Sequence, residues 1–174
     1  DRGNGKKRLR FRSSAPIINS PAFVDDKLIL TNIKGRVTAV DWHAIEYPGE
    51  RTARFWRMTF FIWGLQDDIP IQKGFVWSKN FGSQITVSSP AVAGTQIFVG
   101  TSNGKIFALE HATGGINWEY DTLVSTLGSS PAVIGPNVYI GANDGSVHIL
   151  DRKTGTKLNE FWVNGPVVGQ IVTS

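Results

Sequence analysis

The chain has 174 residues, 41% of them hydrophobic, with 19 glycines and no cysteine. That suits a single turn-rich β core and excludes a disulfide framework, a thiolate metal site and a haem attachment motif. Of the 18 basic residues behind the +4 charge, six are Arg2, Lys6, Lys7, Arg8, Arg10 and Arg12; beyond residue 12 the count is 12 basic against 13 acidic. The folded part is therefore near neutral, the basic run reads as a solvated end, and no nucleic-acid partner is expected. The chain begins with Asp1 and shows no leader, so an upstream segment is expected to have been removed or left out. The charge-free apolar stretch Met58 to Gln66 is nine residues, well short of the roughly 20 a membrane helix needs.

After the basic run, one pattern is written three times. The first copy opens at Ser20-Pro21, and its apolar runs end at Gly35 and Asp41; strands are expected near 20–24, 27–32 and 35–41, with a fourth at 74–79 carrying Trp77. The second opens at Ser89-Pro90 and predicts strands at 89–92, 96–101, 105–110 and 116–120, the last carrying Trp118. The third opens at Ser130-Pro131 and predicts strands at 130–133, 137–142, 146–151 and 157–162. Asn103-Gly104 and Asp144-Gly145 suit tight turns with positive φ, which is preferred to a metal-binding role for Asp144.

The landmarks keep a fixed spacing. Pro21 to Pro90, Gly35 to Gly104 and Asp41 to Glu110 are each 69 residues apart, and the corresponding steps to Pro131, Gly145 and Asp151 are each 41. A period near 40 with four short strands per unit is the signature of a β-propeller of radial blades. The surplus in the first copy falls between Asp41 and Gly74, because Trp77 is already in the later register with Trp118. The all-β reading is thus a blade at 17–79 with an insertion at 42–73, then blades at 84–120 and 125–162. Residues 8–12 stand as the outer strand of a preceding blade and 163–174 as the start of a following one. Three blades cannot close a ring and no polar cap is visible, so the chain reads as an excerpt of a longer propeller or as one completed by another chain.

The segment Ala108-x-Glu110-x-x-Thr113-Gly114-x-x-x-Trp118, with Ser-Pro-Ala-Val and Ile-Phe-Val-Gly before it, closely resembles the docking motif of pyrroloquinoline-quinone-like propeller repeats. The resemblance covers nearly the whole chain and implies a ring of seven or eight blades in which Trp77 and Trp118 pack between neighbours. The third copy departs from it, having Asn159 where the tryptophan belongs, so Phe161 or Trp162 is expected to fill the gap after a local shift. Two main branches follow from the resemblance. One holds quinone-dependent alcohol or sugar dehydrogenases; its alcohol-dehydrogenase members carry an adjacent cysteine pair over the quinone, which this chain lacks. The other is a non-catalytic lipoprotein propeller of outer-membrane protein assembly. Asp41, Glu110 and Asp151 recur at one repeat position, as turn residues do, and His43, His111 and His148 form no metal spacing. The expected function is accordingly a non-enzymatic scaffold without cofactor or metal, extracytoplasmic and membrane-associated. A dehydrogenase fragment and a ligand-sensing propeller are the alternatives.

The insertion is what the repeats do not explain. On a helix Ala53, Trp56, Phe60 and Trp63 share one stripe and Arg51, Arg54 and Arg57 another, although the aromatic content also favours strand. Trp, Phe and Arg are residues that interfaces favour. The insertion is therefore expected to dock a protein subunit through Trp56, Phe60 and Trp63, oriented by Arg51, Arg54 and Arg57. A membrane surface is the alternative target, and folding back over its own blade the purely structural one.

Overall fold

The computed structural model describes residues 9–82, 87–126 and 128–170. Three four-stranded antiparallel sheets follow one another along the chain. The first contains β1 (Ala22–Val24), β2 (Lys27–Thr31), β3 (Arg36–Asp41) and β4 (Phe75–Asn80), with helix α1 (Glu50–Ile62) inserted between β3 and β4. The second contains β5 (Ala91–Ala93), β6 (Gln96–Gly100), β7 (Lys105–Glu110) and β8 (Ile116–Asp121). After the short β9 (Ser129–Ser130), the third contains β10 (Ala132–Ile134), β11 (Asn137–Gly141), β12 (Ser146–Asp151) and β13 (Lys157–Trp162). Each sheet is a meander of neighbouring hairpins, the up-and-down order of a propeller blade.

The strand patterns follow from stacking these sheets face to face. In β6 and β7 the runs Ile97-Phe98-Val99 and Ile106-Phe107-Ala108-Leu109 are buried throughout, because the second sheet is covered on both faces. Alternate residues serve opposite neighbours. Ile97, Val99, Phe107 and Leu109 join Ile29, Val37, Ala39 and Trp77 of the first sheet, while Phe98, Ile106, Ala108 and Trp118 join Val138, Ile140 and Leu150 of the third.

The two tryptophans lock the stack in the same way. Trp77 Nε1 donates to His111 O and Trp118 Nε1 to Arg152 O, both at 2.9 Å. Each indole lies against the glycine of the next sheet's outer turn. A Cβ at Gly114 or Gly155 would sit 2.5 Å from the ring, and both residues have positive φ (72° and 73°), so glycine is required twice over.

Two expectations about the periphery need correction. The third copy does not shift: Asn159 faces Ile149 as Trp118 faces Ala108, with the same bulge after that pair. Asn159 stays exposed, and Phe161 and Trp162 are 45% and 64% exposed, so neither fills the tryptophan position. The preserved register carries Phe161 past the docking position. Nor do residues 9–12 form the expected outer strand. Arg12 N–H donates to Gln72 Oε1 at 2.9 Å and its carbonyl accepts from Gln72 Nε2 at 2.8 Å, so side-chain bonds stand where a strand ladder would run. At the other end β14 (Gly169–Gln170) pairs in parallel with β9; the rest of the expected strand, 171–174, lies outside the described residues.

Candidate functional site

The insertion is built around a capped helix. Glu50 opens α1 and its Oε2 accepts the Tyr47 N–H at 2.9 Å; that bond, with Lys73 Nζ 3.1 Å from the other oxygen, holds the Glu50 carboxyl below its ordinary pKa. The helix ends in a Schellman closure, with Gly64 N–H donating to Phe61 O and Leu65 N–H to Phe60 O. Gly64 supplies the positive φ of 70° that this closure needs.

No residue of α1 is buried. On one side Trp56, Phe60 and Trp63 are 50%, 40% and 65% exposed, and the rings of Trp56 and Phe60 lie 6.4 Å apart. On the other side Arg51, Arg54, Phe55 and Met58 face the first sheet across a cleft of ≈ 610 Å³. Its floor is the sheet surface turned away from the second sheet. Thr38 and Ser78, which line it, pair with each other one step along from Ala39 and Trp77 on the opposite face. Residues 11–14 close one side. The insertion lies over its own blade without packing tightly on it.

Of the six residues singled out in the insertion, Trp56, Phe60 and Trp63 share the outward side. Arg51 and Arg54 face the cleft, and Arg51 is held by Glu46 at 3.1 Å. Arg57 borders a second, smaller cleft with Glu46, Glu50 and Lys73. Arg12, Arg36, Phe55 and Met58 were not foreseen as site residues. Arg51, Arg54, Phe55 and Met58 follow an i, i+3, i+4, i+7 spacing that could have revealed the second stripe.

Two of the three recurring acids, Asp41 and Asp151, serve turns, as does Asp144. Asp151 Oδ1 accepts from Thr154 N, Lys153 N and Thr154 Oγ1 at 2.8–2.9 Å, which keeps its pKa low, first through the Thr154 backbone bond. Asp41 Oδ1 accepts the His43 N–H at 2.8 Å. Asp144 accepts from Ser146 Oγ at 2.7 Å and Ser146 N at 2.9 Å, and these bonds lower its pKa. The histidines sit at contacts between elements: His111 Nδ1 lies 3.4 Å from Asp25 of the first sheet's inner turn. His148, 3% exposed, has Nδ1 3.2 Å from Tyr120 OH of the second sheet and Nε2 3.1 Å from Ser146 Oγ. Burial pushes the His148 pKa down, against the pull of Glu160 at 3.4 Å. Among the described residues no three His, Asp or Glu side chains converge as metal ligands, and no helix is long and apolar enough to cross a membrane.

No curated protein sequence matches the chain. Among solved structures, BamB from Moraxella catarrhalis aligns with a TM-score of 0.60 at 19% identity, over 88% of this chain and 39% of that one. A europium-containing methanol dehydrogenase aligns at 0.59 and 20% identity, over 91% of this chain and 27% of that one. The computationally designed Ika4 protein aligns at 0.64 and 16% identity, over 98% and 88%. Likeness at such identities is likeness of fold. This chain spans well under half the length of the BamB and dehydrogenase chains it matches. Residues 71–169, more than half of the chain, match the family model described as outer membrane protein assembly factor BamB. With the three repeated blades and their tryptophan docking, this places the chain in that BamB family of PQQ-like β-propeller repeats.

Proposed function

We propose that the chain is a non-catalytic scaffold of an extracytoplasmic, membrane-associated assembly, and that it docks a protein subunit through the outward side of α1. The observation that carries this reading is the stripe of Trp56, Phe60 and Trp63, left 50%, 40% and 65% exposed on a helix with no buried residue. Contiguous exposed aromatics on an ordered element mark interaction surfaces, since nothing in folding alone requires them. The family description, an outer membrane protein assembly factor, supports the assembly and its compartment. The engagement of Asp41 and Asp151 in turns supports a framework role for these two recurring acids.

The test replaces residues 42–73 of the complete protein by a turn like His111–Gly114. The blades are expected to stay folded by circular dichroism while partner binding is lost. The variants Trp56→Ala and Trp63→Ala should each weaken binding by about thirtyfold, the effect of removing a hot spot worth ~2 kcal/mol. Unfolding of the deletion variant together with intact binding by both alanine variants would make the insertion structural. Turnover of an alcohol or sugar in a dye-linked assay, after loading with quinone and calcium, would overturn the non-catalytic reading.

A further inference from the structure

We draw no further inference here: the strongest candidate, the loop between the second and third sheets that holds Leu123 89% exposed at a φ of 62°, carries none because nothing in the structure shows what covers it.

Discussion

At the scale of single residues, the stack depends on a few large side chains whose environments are well defined. Trp118 is 8% exposed, bonds to Arg152 O and rests on Gly155, whereas Asn159, at the same position one blade later, is exposed. Trp118→Ala should therefore cost about 3–5 kcal/mol in urea unfolding, the usual price of emptying an aromatic site, and Asn159→Ala within about 0.5 kcal/mol. Because each blade touches only its neighbours, hydrogen exchange in the Trp118→Ala variant should rise most in β10–β13 and least in β1–β4. Equal losses from the two substitutions would mean that the indole is not the lock. The docking tryptophans were legible in the sequence because they recur at the repeat spacing. Their acceptors were not: His111 O and Arg152 O are backbone atoms of the next sheet, which no pattern in the chain marks.

At the scale of elements, β12 illustrates how one repeat position is used differently in each blade. Thr38, Phe107 and His148 are equivalent, and only the last is titratable. His148 meets Tyr120 OH, Ser146 and Glu160, with Lys157 bonded to Glu160 at 2.6 Å and Asp144 bonded to Ser146. Its folded pKa lies below the ordinary value of 6.5, chiefly because burial disfavours the cation. A depressed histidine pKa contributes stability that is fully present above the unfolded value and is lost as pH falls through the folded one. The contact between the second and third sheets should thus weaken as pH drops below about 6.5, and His148→Phe, the residue found in the second blade, should flatten that dependence. Urea unfolding at pH 8 and pH 5 measures it; a variant with an undiminished pH slope would assign the effect elsewhere. The strands β7, β12 and β13 were readable to the residue because the 41-residue step carries Lys105–Glu110 onto Ser146–Asp151 and Ile116 onto Lys157. The helix was readable as two stripes, in competition with a high strand propensity; its end is set by the Gly64 closure. The cleft was not readable, since its floor comes from Arg36, Thr38 and Phe75, brought opposite α1 only by the sheet's register.

At the scale of the whole molecule, the described structure has two unequal ends. The first sheet's outer face is screened by α1 and residues 11–14. The last sheet presents Tyr139, Ile149, Asn159 and Phe161 where the second sheet has Phe98, Ala108, Trp118 and Tyr120. Phe98, Ala108 and Trp118 are buried under the next blade, but Tyr139 and Ile149 are only half-buried and Phe161 is 45% exposed. Repeat stacks gain most of their stability at such interfaces, so an uncovered face attracts a further blade or another copy. Association through strand edges is disfavoured by comparison, because the outer strands carry Lys79, Glu119 and Lys157, charges that blunt edge pairing. The 174-residue chain is therefore expected to self-associate through the β11–β13 face, with a sedimentation coefficient that rises with concentration. Phe161→Glu, placing a charge where the covering surface must be dry, should suppress that rise while leaving the fold intact. A monomer at every concentration, or association that ignores Phe161→Glu and yields to charge changes on the outer strands, would show that the edges and not the open face govern assembly.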